Sequence, residues 1–177
     1  MASLLPLSPS STSLLQGYAI ISAALAAGTN LSTSFLTIPT ILLSPHPLLL
    51  AQWTALYSAG ITPMVTLSMT STTAFAVLAY ASHASALPAA ASTAKLYGVA
   101  AAAAFAMAPW TRLVMWGTNQ RLLALNQERE QGTGGKGVVE AGEEPVDRLV
   151  ERWAGLNVVR GVASLGAAVV GGLASLA

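Results

Sequence analysis

Residues 91–121 read ASTAKLYGVAAAAAFAMAPWTRLVMWGTNQR, an apolar run that ends in a block of polar and aromatic side chains. The apolar part is long enough to cross a bilayer, which needs about 20 residues of helix. It predicts a transmembrane helix whose polar end, from Pro109 to Arg121, lies at the edge of the membrane. Charge beside hydrocarbon is costly and usually has a purpose, so this block marks a candidate site.

The composition of the whole chain agrees with a membrane protein. Of its 177 residues, 54% are hydrophobic and only 8% are charged, whereas soluble domains carry about 25% charged residues. We therefore expect an all-α integral membrane protein, a single four-helix bundle with a cytosolic extension between its third and fourth helices. The chain has no cysteine, which excludes disulfides, thiolate metal sites and cysteine nucleophiles.

The hydrophobic pattern predicts four spans in one transmembrane domain. They cover roughly 14–43, 48–80, 91–116 with a helical continuation to about 130, and 148–177. The segment 131–145 is rich in Gly and Glu and is expected to be an exposed loop. Proline predicts a break or tilt near Pro39 and a kink at Pro63, and the start of the chain reads as an uncleaved first span rather than a signal peptide.

Small residues recur at the spacing that lets helices approach closely in lipid. The predicted stripes are Ala24, Gly28 and Ser32 in the first span, and Ala163, Ala167, Gly171 and Ser175 in the fourth. We expect both stripes to lie in helix interfaces of the bundle.

The charged residues predict the orientation. None precedes Lys95, and all seven acidic residues lie between Glu128 and Glu151. Seven of the eight basic residues lie between Arg112 and Arg160. By the positive-inside rule the 131–145 loop is cytosolic, with both termini and the 82–88 loop lumenal. We expect the endoplasmic reticulum or another endomembrane.

Helical spacing predicts polar and aromatic faces at this cytosolic level, because positions three, four and seven apart share a side of a helix. The members of the three faces are Arg112, Trp116 and Asn119; Trp153, Asn157 and Arg160; and Trp53 and Tyr57. Three alternatives stay open. The tryptophans suit an interfacial aromatic belt, the arginines suit headgroup contacts, and the asparagines suit hydrogen bonds between helices.

The sequence argues against several kinds of catalytic centre. His46 and His83 are the only histidines, the predicted topology puts them on opposite sides of the membrane, and no carboxylate lies in a span. A two-histidine-one-carboxylate iron site therefore cannot form within one chain. We expect no metal, no haem, and no nucleic-acid partner.

These elements resemble the anthrone oxygenase family of small four-span membrane proteins. The resemblance is carried by Gly28…Ser32-x-Ser34 ahead of Ile38-Pro39, by Trp53-x-x-x-Tyr57-x-x-Gly60, by Pro109-x-Thr111-x-x-Val114-Met115-x-x-Thr118-Asn119-x-x-Leu122, and by Trp153-x-x-x-Asn157-x-x-Arg160. It implies a monooxygenase-type oxidation of an anthrone to an anthraquinone in fungal aromatic polyketide biosynthesis. It further implies dioxygen as co-substrate and no cofactor.

Under this resemblance, donors must stabilise a developing oxyanion beside a flat apolar slot. The donors are Arg112, Arg160, Asn119 and Asn157. The substrate contacts are Trp53, Trp116, Thr118, Trp153, Tyr57 and His46. The base stays open between Tyr57, His46 and a water held by the two asparagines.

Two other functions compete with the oxygenase. Intramembrane arginines and asparagines also line small-molecule transporters and channels, although here they cluster at one side of the membrane. A scaffold could instead recruit pathway enzymes through the charged loop. The expected partners are an aromatic polyketide and the lipid bilayer, and a site shared between protomers of a homo-oligomer stays open.

Overall fold

A computed structural model describes residues 8–85, 90–132 and 144–177. These residues form four long helices, α1 (Pro9–Ile41), α2 (His46–His83), α3 (Ala90–Glu130) and α4 (Val146–Ser175), each long and apolar enough to cross a membrane. The described ranges contain no strand. The predicted all-α membrane bundle is therefore confirmed. Most of the predicted exposed loop, residues 133–143, lies outside the described residues, and so does part of the 82–88 loop.

The four helices form a closed ring of neighbours. Helix α1 packs against α2 and α4, and α3 packs against the same two helices. Helices α1 and α4 approach each other closely at Gly161, where an added Cβ would lie 2.6 Å from Leu31 Cδ2. A small residue is required there because lipid-embedded helices associate through tight van der Waals packing.

The predicted small-residue stripe of α1 is wrong. Ala24, Gly28 and Ser32 are exposed. The neighbouring stripe through Ala19, Ala23, Ala26 and Ala27 is buried instead. Both stripes have the spacing of a close-packed face, and residue size alone does not choose between them. The stripe of α4 fits better, since Ala167 and Gly171 are buried and Ala163 is half-buried, although Ser175 is exposed.

Two helices contain a π-helical turn next to a proline. In α1 the turn covers Thr33–Thr37 and precedes Pro39, and the helix continues to its end at Ile41. In α3 the helix is interrupted at Ala106, and a π turn covers Thr111–Met115 after Pro109. A proline ring clashes with the carbonyl four residues earlier. For Pro39 that carbonyl belongs to Phe35 within the π turn, and for Pro109 it belongs to Phe105, next to the interruption at Ala106. Helix α2, by contrast, continues through Pro63.

The buried side chains form two apolar clusters at different levels. One contains Phe75, Leu78 and Tyr97 with surrounding alanines. The other contains Trp53, Met115, Leu122, Val150 and Trp153. The residues between these levels along the helices surround an open space rather than a packed core.

Candidate functional site

A cavity of about 560 Å³ lies between the two clusters and has walls from all four helices. Six of the residues singled out from the sequence line it: Tyr57, Arg112, Trp116, Trp153, Asn157 and Arg160. Most of the remaining wall is apolar, with Leu56, Ile61, Met64, Val65, Met69 and Met107 among its members. The cavity can hold a flat aromatic molecule beside two guanidinium groups.

Asn157 holds Arg160 at the cavity wall. Its Oδ1 accepts a hydrogen bond from Arg160 Nη1 at 3.2 Å. Its Nδ2 donates to the carbonyl of Asn30 at 2.9 Å and to Ser34 Oγ at 3.1 Å. Asn157 is fully buried, and each polar atom of its amide is therefore engaged. This side chain positions Arg160 and has no donor left for a ligand.

Helix α1 supplies both acceptors for Asn157, one just before its π turn and one within it. Ser34 lies within that turn, and its hydroxyl donates to the carbonyl of Ala154 at 3.1 Å and to that of Asn30 at 3.0 Å. These hydrogen bonds tie α1 to α4 beside Arg160.

Three aromatic side chains pack together at one end of the site. Trp153 Nε1 donates to Asn119 Oδ1 at 2.9 Å, and Trp53 meets Trp153 edge-to-face with ring centroids 5.7 Å apart. Tyr57 stacks on Trp53 at 5.1 Å. Tyr57 and Trp153 line the cavity, whereas Trp53 is fully buried behind them. Trp53 therefore supports the wall without forming it.

Arg112 lies over the ring of Trp116, with Cζ 4.3 Å from the ring centroid. Both side chains are exposed on the outside of the bundle while lining the cavity. A guanidinium on an aromatic face keeps its N–H groups available at its edge. No hydrogen bond or ion pair of Arg112 is present among the described residues.

Asn119, Thr118 and His46 are not brought to the cavity wall. The π turn at Thr111–Met115 inserts about one extra residue, which rotates the following helix by about 100°. Asn119 consequently points to Trp153 instead of sharing the face of Arg112, and Thr118 is buried outside the cavity. His46 is exposed at the first residue of α2.

The cavity opens sideways between α2 and α3. These helices pack together along Ala90–Phe105 and again along Trp116–Glu130. Between those stretches α3 leans against α4 instead. Exposed lining residues of α2 and α3 flank this gap, among them Ile61, Val65 and Trp116 at 46%, 54% and 44% exposure. Ile61 and Val65 lie near the middle of α2.

The family model described as anthrone oxygenase matches residues 53–170, which include α2 from Trp53 onward, all of α3 and most of α4. The chain belongs to the anthrone oxygenase family. The resemblance inferred from the sequence is thereby confirmed. Family membership makes this protein an oxygenase of a polyketide pathway.

A curated relative agrees with this assignment. The anthrone oxygenase nsrD of Aspergillus novofumigatus (strain IBT 16806) is 32% identical over 155 residues, covering 86% of this chain and 88% of the relative. No solved structure matches the chain.

Asn30 belongs to the site of this anthrone oxygenase family member but was not predicted from the sequence. Asn30 is buried in α1, lines the cavity and accepts from Asn157 through its carbonyl. A signal was present, because Thr29-Asn30 is followed closely by Ser32-Thr33-Ser34 within a mostly apolar span. Polar side chains one turn apart inside a membrane helix indicate a polar interior face.

Among the described residues, the cavity wall contains positively charged side chains but no acidic ones. Arg112 and Arg160 line it, and no Asp, Glu, His or Cys is among the lining residues. Within 8–85, 90–132 and 144–177, no group of three or more such side chains is arranged to hold a metal ion. Arg160 Nε is buried without a hydrogen-bond partner in the same ranges. The site is therefore suited to negative charge on a ligand.

Proposed function

We propose that this family member oxidises an anthrone to an anthraquinone with dioxygen and needs no metal or flavin. The reaction balances as one anthrone and one dioxygen giving one quinone and one water. One oxygen atom becomes the new carbonyl, and the other leaves as water with the two hydrogens of the oxidised methylene. This proposal rests on family membership and on the chemistry of the cavity wall.

The observation that carries the proposal is the Arg160 guanidinium, held by Asn157 against an apolar cavity. Removing a proton from an anthrone methylene places negative charge on the carbonyl oxygen across the ring. A fixed cation at that oxygen stabilises the anion strongly, because the surroundings contain little water to screen it. The resulting electron-rich anion reacts with dioxygen directly, and loss of water from the peroxide gives the quinone.

The phenolate of Tyr57 is the proposed proton acceptor, because only the ionised oxygen can take a proton from the methylene. The ring of Tyr57 stacks on Trp53, and Tyr57 lines the same cavity as Arg160. The other candidates fit less well. His46 lies outside the cavity wall, and the amide of Asn157 is occupied by protein partners. Replacing Tyr57 by Phe keeps the stacking and removes only the hydroxyl, so the variant isolates this role.

The decisive experiment incubates the purified full chain with an anthrone under isotopically heavy dioxygen, in the presence of a chelator. We expect quinone absorbance to appear above the spontaneous rate, with one heavy oxygen atom in the product. Arg160→Ala should lower kcat by about 10²- to 10³-fold, the usual cost of removing an oxyanion donor. Arg152→Ala is the matched control, because Arg152 is exposed and pairs with Glu144.

Two results contradict the proposal. Quinone formation that stops with chelator and returns with added metal would exclude metal-free catalysis. Equal turnover by wild type and Arg160→Ala would remove the proposed site, even if the chain remained an oxygenase.

We also propose that the charged segment between α3 and α4 is cytosolic, with both termini lumenal in the endoplasmic reticulum or another endomembrane. The support is the distribution of basic residues along the chain. Protease protection of a tag in that segment, in sealed microsomes, tests the orientation: digestion without detergent supports it, and protection contradicts it.

A further inference from the structure

The cavity holds more positive charge than the proposed reaction uses. One negative charge develops on the oxygen that faces Arg160, whereas the wall also contains Arg112 and no carboxylate. A cation that lines a largely apolar cavity without a protein counter-charge favours an anionic ligand. Arg112 has no role in the proposed reaction.

The surroundings of Arg112 suit a ligand. The guanidinium lies over the ring of Trp116, with Cζ 4.3 Å from the centroid, and a contact of this kind leaves its N–H groups available. It lines the cavity and is exposed on α3, next to the side gap between α2 and α3. A planar guanidinium with available N–H groups binds a carboxylate or a phenolate through charge-assisted hydrogen bonds.

We propose that Arg112 binds a second acidic oxygen of the substrate, distinct from the oxygen that meets Arg160. The substrate class is then a flat polycyclic aromatic that carries a carboxylate or an acidic phenol on its ring system. This inference rests on the proposed function for the choice of ring system. A lipid phosphate offers the same anionic oxygens, and the test separates the two sources.

The test measures equilibrium binding and needs no turnover, so its outcome is independent of the proposed oxidation. The full chain is placed in nanodiscs of neutral phosphatidylcholine, and quenching of tryptophan fluorescence follows the binding of an anthraquinone carboxylate and of its methyl ester. Wild type should bind the carboxylate at least about tenfold more tightly, the size of one charge-assisted hydrogen bond. Arg112→Gln should abolish this preference and leave the affinity for the ester unchanged.

Two further variants, Arg112→Lys and Arg152→Gln, serve as controls for this binding experiment. Lysine keeps the charge but not the planar fork, so it should retain part of the preference, and Arg152→Gln should retain all of it. An undiminished preference in Arg112→Gln overturns the proposal. The proposal also fails if adding anionic lipid, at the same ligand concentrations, abolishes the preference in wild type, because Arg112 would then be a headgroup contact.

Discussion

Asn157 and Arg160 lie one helical turn apart on α4, and Asn157 Oδ1 accepts the hydrogen bond of Arg160 Nη1 at 3.2 Å. The donors of Asn157 are bonded to the carbonyl of Asn30 and to Ser34 Oγ, both on α1. The orientation of Arg160 is therefore fixed by contacts between two helices. Its contribution to the proposed catalysis depends on how those helices pack.

Asn157→Ala should lower kcat of the proposed reaction by about 10²-fold while leaving KM within a few-fold, because Arg160 loses its orientation at the developing oxyanion. Steady-state quinone formation measures both constants. Asn126→Ala is the control, since Asn126 is also a buried asparagine but bonds only Arg129 and Glu130. A similar loss in both variants would mean that the effect is one of folding.

Ser34→Ala should weaken the positioning of Arg160 indirectly, because Ser34 contacts Asn157 and not Arg160. The variant removes the donor to the carbonyl of Ala154 and the acceptor for Asn157, so we expect a fall in kcat of about tenfold, near the value of one hydrogen bond. Ser32→Ala changes an exposed serine in the last turn before the π segment and should be neutral. Equal activities of the two variants would contradict the proposed positioning.

Asn119→Leu should destabilise the protein rather than alter the chemistry directly. The substitution leaves Trp153 Nε1 buried without an acceptor, at a cost of about 1–3 kcal/mol in the free energy of unfolding. Thermal unfolding in detergent, followed by tryptophan fluorescence, measures the change. Asn119→Asp keeps the acceptor oxygen and should lose less, and Gln120→Ala is an exposed control. If Asn119→Leu is as stable as wild type, the bond to Trp153 contributes nothing.

Gly161→Ala should loosen the contact between α1 and α4, because the new Cβ would lie 2.6 Å from Leu31 Cδ2 and 3.3 Å from the backbone nitrogen of Leu31. We expect a destabilisation of about 1–3 kcal/mol. Gly166→Ala lies on the same helix with nothing within 4 Å of its Cβ, and it should be neutral or slightly stabilising. Comparing melting temperatures of the two variants checks the close approach.

Ala108→Trp should obstruct the side gap. Ala108 lines the cavity and is exposed on α3, so a large side chain there should lower kcat/KM by about tenfold or more through restricted entry. Ala102→Trp places the same bulk on an exposed position of α3 that does not line the cavity. Loss of activity in Ala102→Trp alone would contradict entry between α2 and α3.

The sequence predicted the bundle and much of the site because both depend on regular helical spacing. Trp153, Asn157 and Arg160 keep their common face because α4 is an undistorted helix. The spacing argument fails where the backbone is not α-helical. Asn119 was expected beside Arg112, but the π turn between them changes the register. Hydropathy and spacing do not reveal such turns, although each one follows or precedes a proline.

The role of Asn157 also required the structure. Its face on α4 indicated a donor for the ligand, whereas three hydrogen bonds show that the amide is already engaged. Sequence shows which side chains can meet but not which neighbour each polar atom selects. The same limit explains the choice of stripe in α1, where two sets of small residues have equal spacing.

In the two π turns, the number of residues matters as much as their identity. Each turn contains one residue more than an α-helical turn, so removing a single residue from Thr33–Thr37 would restore regular winding. The preceding helix would then rotate by about 100° and carry the carbonyl of Asn30 away from Asn157. A deletion of one residue in Thr111–Met115 would likewise rotate the following helix and carry Asn119 away from Trp153. In these segments, changes of length are therefore more damaging than changes of side chain, and natural variation should consist of substitutions rather than insertions or deletions.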